Sequence, residues 1–267
     1  MTYKYAVFGN PVAHSLSPRI HQQFGKFLNL DIEYTAIQAD PDSLTRKLSA
    51  FKQAGGSGAN ITLPHKQTVI NQCQSLSDNA QKAQAVNTLV ATTDGWHGDN
   101  TDGAGLLWDL RRQKVQLNDA RILILGAGGA SRGILPALTS ARPKSIMLAN
   151  RTLANAQHLA ADFNHIDVIP MQKLDSLKSI DVLINTTAAG HTETGFTLAL
   201  DPHNQPFCYD LSYGKPAQGF AGWAKQYAYP HSDGLGMLVG QAALSFTTWT
   251  EQDVNDSIRN HVLQQLR

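Results

Sequence analysis

A chain of 267 residues that is 42% hydrophobic is long enough for two domains, each with its own buried core. Its 22 Lys and Arg against 21 Asp and Glu leave a formal charge of +1 with no basic block, which argues against nucleic acid or an anionic membrane as main partner. Cys73 and Cys208 stand far apart without metal-ligand spacing, no apolar run approaches the ~18 residues of a membrane span, and the strand-like start at residues 3–8 leaves no room for a signal peptide, so a cytoplasmic protein with reduced thiols is expected. Strands are predicted at residues 4–8, 33–37, 57–61 and 87–91, and helices at 18–28, 42–54 and 64–73. A helix over 102–113 leads through a polar stretch into a second series. That series begins with a strand at 120–125, then glycine-rich sequence, a helix, and strands at 145–149, 181–185 and 207–211. The last 30 or so residues read as two helices without a strand of their own, expected to pack back on the first domain. Alternation of this kind predicts an α/β fold of βα units around mostly parallel sheets.

The run Gly126-Ala-Gly-Gly-Ala-Ser-Arg-Gly133 follows an apolar strand and opens a helix. Glycines there let the backbone approach a pyrophosphate, and the free N–H groups of the helix start bind its charge. Ser131 occupies the usual third glycine position, and an ordinary glycine-rich turn is the bland alternative. The next strand ends in Asn150-Arg-Thr152, where an NAD site usually has a carboxylate for the ribose 2′-hydroxyl. A guanidinium pairs with a 2′-phosphate that a carboxylate would repel, so NADP(H) is the expected cofactor.

Three further motifs sit where strands are expected to give way to helices. In Gly9-Asn-Pro-Val-Ala-His-Ser-Leu-Ser-Pro18, Pro18 suits the first helical position with Ser17 as N-cap; Ser15 adds a second hydroxyl, making an anion site for a carboxylate. In Asn60-Ile-Thr-Leu-Pro-His-Lys66, Pro64 is read as a helix start, which puts the Lys66 cation against the macrodipole at a cost of ~0.3–1 kcal/mol. Such a cost is understandable if the ammonium stabilises and protonates an oxyanion formed by hydride addition to a ketone. In Gly98-Asp-Asn-Thr-Asp-Gly103, Asp102 is either a plain N-cap or the partner of Lys66; a calcium loop is rejected for lack of ligand spacing and a distal Glu.

In this order the motifs resemble the shikimate dehydrogenase family, from Gly9 to beyond Gln241. The match includes Ala85-Val-Asn-Thr88, Asn100-Thr-Asp102, Asp210-Leu-Ser-Tyr213 and Asp233-Gly-Leu-Gly-Met-Leu-Val-Gly-Gln241. The resemblance implies reversible reduction of 3-dehydroshikimate to shikimate with NADPH, in aromatic amino-acid biosynthesis. It implies Lys66 and Asp102 as the catalytic pair, Ser15 and Ser17 on the ring carboxylate with Tyr213 nearby, and Thr62, Asn87 and Gln241 on ring hydroxyls. Gly126, Ala127, Gly128, Gly129 and Ala130 would take the pyrophosphate and Asn150, Arg151 and Thr152 the 2′-phosphate. Leu211, Gly234 and Met237 would line the rest of the cofactor site. It also implies a substrate domain of residues 1–102 with 236–267, an NADP-binding Rossmann domain of 103–235, a site in the cleft between them, no metal, and a monomer or homodimer.

Two departures from the family pattern are visible, Ala85 for a common Gly and Ala189 for a common Ser near the cofactor. Neither removes a catalytic group. His14, His21, His65 and His97 lack metal spacing and read as polar or supporting residues, and Trp96, Trp108, Trp223 and Trp249 as packing. The competing readings are a quinate/shikimate enzyme with relaxed substrate or cofactor choice, a non-catalytic sensor, and a folate or glutamyl-tRNA related dehydrogenase. Asn150 to Thr152 oppose an NAD enzyme, and the presence of Lys66 with Asp102 opposes a sensor. Ser15 and Ser17 together with that pair oppose the third.

Overall fold

A computed structural model describes residues 2–187, 196–201 and 203–267; Ala189 lies outside them. The chain divides into two compact units, Met1–Leu106 with Leu238–Arg267, and Leu107–Met237. Among the described residues no helix is long and apolar enough to cross a membrane.

The first unit holds a six-stranded sheet. Its strands are β1 (Tyr3–Gly9), β2 (Ile32–Gln38), β3 (Gly56–Ile61), β4 (Cys73–Leu76), β5 (Thr88–Thr92) and β6 (Gly95–Asp99), in the order β2-β1-β3-β5-β6-β4. Pairs β1–β2, β1–β3 and β4–β6 are parallel, whereas β5 runs antiparallel to both β3 and β6. The sheet is therefore mostly parallel but not built from βα units throughout. The exception is the β5–β6 hairpin, whose second strand, Gly-Trp-His-Gly-Asp, carries too many glycines to announce itself as a strand. Because β5 is reversed, its N-terminal end shares one sheet edge with the C-terminal ends of β1, β3 and β6 (all three parallel to one another). Every motif of the substrate half lies at that edge.

Helices α1 (Ser17–Phe27), α2 (Leu44–Gln53) and α3 (Asp78–Ala83) belong to this unit, and α4 (Asp102–Arg112) begins in it. One core layer gathers Phe8, Leu48, Ile61, Val69, Leu89 and Trp96. On the other side His21 and Phe24 of α1 meet Phe246 and Trp249 near the C-terminus, and Trp249 also stacks on Tyr5 at 4.5 Å. The terminal helices are α8 (Leu235–Thr250) and α9 (Asp256–Leu266).

In the second unit β7 (Arg121–Leu125), β8 (Ser145–Ala149), β9 (Ile166–Val168), β10 (Val182–Asn185), β11 (Phe207–Asp210) and β12 (His231–Ser232) form a wholly parallel sheet. Its order, β12-β11-β10-β7-β8-β9, is that of a dinucleotide-binding doubly wound fold. The order in which strands are added reverses between β7 and β10, and ligands of such sheets bind beyond the C-terminal ends at that point. Helices α5 (Gly129–Ser140), α6 (Leu153–Ala161) and α7 (Gln218–Gln226) complete the unit, with Leu123, Leu183, Phe220 and Trp223 among its core residues.

Candidate active site

Two of the three expected helix starts hold, and one does not. No α-helix follows Pro64: the chain turns and forms only a short 3-10 helix, Thr68–Gln72. The Lys66 carbonyl accepts instead from the distant Val86 N–H at 2.7 Å, and Thr68, Val69 and Ile70 are β-branched residues that disfavour a helix. The dipole cost assigned to Lys66 therefore does not arise. Helix α1 starts one residue earlier than expected, with Leu16 as N-cap and Ser17 already helical. Ser15 supplies the capping oxygen, accepting from the Ser17 N–H at 3.2 Å, and Ser17 itself is buried. Asp102 is the first residue of α4, and its two carboxylate oxygens face Lys66 and Asn87.

Lys66 Nζ lies 2.6 Å from Asp102 Oδ2. The lysine side chain is 16% exposed and the aspartate 5%, so the ammonium stays reachable while the carboxylate is nearly sealed. The other oxygen, Oδ1, accepts from Asn87 Nδ2 at 2.9 Å, and the Asp102 backbone N–H donates to Asn100 Oδ1 at 3.1 Å. Asn87 Nδ2 also reaches Gln241 Oε1 at 3.0 Å, which brings Lys66, Asp102, Asn87 and Gln241 into one cluster. Thr62 stands at the end of β3, its N–H bonded to Phe8 O, on the same sheet edge. An ammonium held beside a fixed carboxylate is a positioned proton donor whose charge is balanced until it gives the proton up.

The second unit presents its own motif where the doubly wound order places it. Gly126 has φ +107°, and a Cβ there would collide with Thr186 Oγ1, so only glycine serves. Gly128 caps α5 in an extended conformation, and side-chain atoms built on Gly128 or Gly129 would meet only open space. An open, glycine-lined helix start of this length fits a pyrophosphate. Ser131 packs inward in place of a third glycine. Its hydroxyl bonds Gly126 O at 2.8 Å and Thr186 Oγ1 at 2.7 Å, tying the loop to the end of β10. Beyond β8, Asn150 Nδ2 donates to Thr152 O at 2.8 Å, while Arg151 is exposed with no acidic partner among the described residues. Thr152 caps α6 without using its side chain, so N–H groups stay available beside Arg151.

Leu211 and Gly234 are brought together, since a Cβ on Gly234 would strike the Leu211 carbonyl. Met237 N–H donates to the Tyr209 hydroxyl at 3.2 Å, and that hydroxyl donates to the buried Asp109 at 2.7 Å. Burial, with the Asp109 charge adding to it, holds the Tyr209 phenol well above its ordinary range. Tyr213 follows β11 in this second unit. Ala85 carries no backbone demand for glycine, because the left-handed residue is its neighbour Gln84, at φ 46°. No group of three or more potential metal ligands occurs among the described residues.

Comparison with known proteins decides the family. Residues 7–89 match the shikimate dehydrogenase substrate binding domain, 109–197 the shikimate/quinate 5-dehydrogenase domain, and 234–267 the shikimate 5′-dehydrogenase C-terminal domain. The shikimate dehydrogenase (NADP(+)) of Xanthomonas campestris is 43% identical over 254 residues, covering 92% of this chain and 90% of its own. The chain belongs to the shikimate dehydrogenase family. Among solved structures, the shikimate dehydrogenase of Aquifex aeolicus superposes with a TM-score of 0.88 at 29% identity, covering 98% of each chain. The Thermus thermophilus shikimate 5-dehydrogenase, solved in complex with NADP(H) and shikimate, superposes with a TM-score of 0.86 at 29% identity, over 99% of this chain and 100% of its own.

Within this shikimate dehydrogenase family chain, sequence reasoning assigned no role to Asn60, Thr88, Thr101 and Ser245, which are buried polar residues behind Asn87. Three of them lay inside quoted motifs. Ser245 had one available signal, a hydroxyl in an apolar helix four residues after Gln241, on the same helical face.

Proposed function

We propose that this protein is an NADP-dependent shikimate dehydrogenase of the cytoplasm, reversibly reducing 3-dehydroshikimate to shikimate, with Lys66 and Asp102 as the proton-transfer pair. The observation that carries the reading is the 2.6 Å Lys66–Asp102 contact, held in place by Asn87, in a member of this family. The substrate unit and the NADP-binding unit divide near Asp102 and Gly236. When bound, the nicotinamide supplies or accepts the hydride at C3. The protein's task is then the proton on the C3 oxygen. In reduction Lys66 Nζ gives a proton to the developing alkoxide, and Asp102 balances the charge of the ammonium before transfer. In oxidation the same pair receives the hydroxyl proton. Thr62, Asn87 and Gln241 orient ring hydroxyls, and Ser15 and Ser17, with Tyr213, receive the carboxylate. Gly126 to Ala130 hold the pyrophosphate, and Asn150, Arg151 and Thr152 hold the 2′-phosphate. Gly234 and Met237 border the nicotinamide, and Leu211 belongs to the same cofactor site.

Initial rates with shikimate or quinate, and with NADP⁺ or NAD⁺, test the assignment. Turnover confined to shikimate with NADP⁺ is expected; comparable rates with quinate or NAD⁺ would assign the broader enzyme, and tight shikimate binding without turnover a sensor. Arg151 provides the cofactor test. Arg151→Ala removes a cation that has no competing partner among the described residues, so KM for NADP⁺ should rise by about 10- to 100-fold with KM for NAD⁺ little changed. Equal effects on both cofactors would remove Arg151 from the 2′-phosphate site.

A further inference from the structure

We propose, resting on the function above, that Thr88 and Ser245 are positioning residues: their hydroxyls hold the Asn87 amide in the orientation that aims one of its N–H groups at Asp102. An amide can flip end for end, so its sense must be held. Here two fixed groups favour one sense from the front, and the Thr88 and Ser245 hydroxyls hold the amide in that sense from behind. The Thr101 N–H only donates, and it reaches Asn87 Oδ1 at 2.9 Å. The Asp102 carboxylate accepts from Asn87 Nδ2, also at 2.9 Å.

With that sense given, the buried hydroxyls behind it are determined in turn. Thr88 Oγ1 lies 2.8 Å from Asn87 Oδ1 and must donate to it. Its lone pairs then face Ser245 Oγ at 2.8 Å, which donates to Thr88 and shares its proton with Gln241 O at 3.1 Å. Ser245 accepts from Asn60 Nδ2 at 3.0 Å. The sense of Asn60 is itself set by the Asn87 carbonyl, which accepts from Nδ2 at 3.1 Å, and by the Tyr34 phenol, which donates to Oδ1 at 2.8 Å. Protons thus point one way along Tyr34, Asn60, Ser245, Thr88 and Asn87 to end on Asp102. Aligned hydrogen bonds polarise one another, and all six residues are buried.

Thr88→Val keeps the shape of residue 88 and deletes its hydroxyl; Thr88→Ser keeps the hydroxyl. Thr88→Val should lower kcat by about 10- to 100-fold, the scale of a small misplacement in a reacting pair, with KM for NADP⁺ and shikimate within about threefold. Thr88→Ser should restore kcat to within about threefold of the parent, and Thr88→Val with Ser245→Ala should be no worse than Thr88→Val alone, because both cut one chain. An unchanged kcat in Thr88→Val, equal losses in Thr88→Val and Thr88→Ser, or losses that multiply in the double variant would each overturn the proposal. Should the parent chain fail to oxidise shikimate, the function falls separately, and a crystal structure of Thr88→Val decides the positioning role. There an intact Asn87–Asp102 bond overturns it and a broken one upholds it.

Discussion

Lys66→Met is expected to lower kcat for shikimate oxidation by about 10²- to 10⁴-fold, the usual yield of a positioned proton-transfer group, while leaving NADP⁺ affinity within a few-fold. The reason is local. Lys66 Nζ is the partly exposed member of a 2.6 Å pair whose other half is almost wholly enclosed, so methionine preserves the packing of the stem and deletes the only charge facing Asp102 Oδ2 among the described residues. Asp102→Asn is expected to cost a similar factor, because it keeps a carbonyl for Asn87 to donate to but leaves the ammonium uncompensated. The two act as a unit, so the double variant should fall near the worse single variant rather than at the product of the two losses. Initial rates give kcat and KM, and titration calorimetry with NADP⁺ gives the affinity. A Lys66→Met enzyme retaining more than about a tenth of the parent kcat would rule out Lys66 as the proton donor.

The largest expected effect on stability comes from His21, which has no part in the chemistry. Its ring is completely enclosed, stacked on Tyr34 at 4.4 Å between centroids and tilted against Trp249 at 5.2 Å. Neither ring nitrogen has a hydrogen-bond partner among the described residues. Burial pushes the imidazole down to about 3 from its ordinary 6.5. Unfolded chain binds a proton here below about pH 6.5 and the folded protein does not until about pH 3, so the unfolded state binds more protons throughout that window. The stability contributed by the neutral imidazole is fully present above pH 6.5 and is lost as pH falls towards 3, at roughly 1.4 kcal/mol per pH unit. His21→Phe keeps an aromatic ring in the stack and removes the titration. Urea unfolding of both proteins from pH 7.5 to 4.5 should show a constant gap above pH 6.5 that moves in favour of His21→Phe below it. Parallel curves over the whole range would show that His21 does not govern acid sensitivity.

The dinucleotide half was legible because its determinants are local. A glycine needed for positive φ, an apolar parallel strand and a helix start are consecutive in sequence, and Arg151 follows at the end of the next strand. The structure adds the short strands β9 and β12, which no pattern announced, and the reason for Ser131, whose hydroxyl finds Thr186, 55 positions away. In the substrate half, residue types and their nearness to strand ends were legible, as Ser15, Lys66 and Asp102 show. The backbone after Pro64 was not: its pattern was read as a helix, but the Lys66 carbonyl is committed to Val86, a pairing that no local signal records.

The sequence by itself determined the α/β class, the motifs, and the identity of the charged pair, since each depends on periodicity or on a few adjacent residues. Only the tertiary structure decided that β5 is reversed, which brings Asn87 to the same sheet edge as Lys66 and Asp102. It alone decided, too, that Asn60, Thr88 and Ser245 stand behind them in hydrogen-bond order. Hydrogen bonds between residues up to 185 positions apart depend on how sheet and helix pack, and packing is a property of the whole chain rather than of any stretch of it.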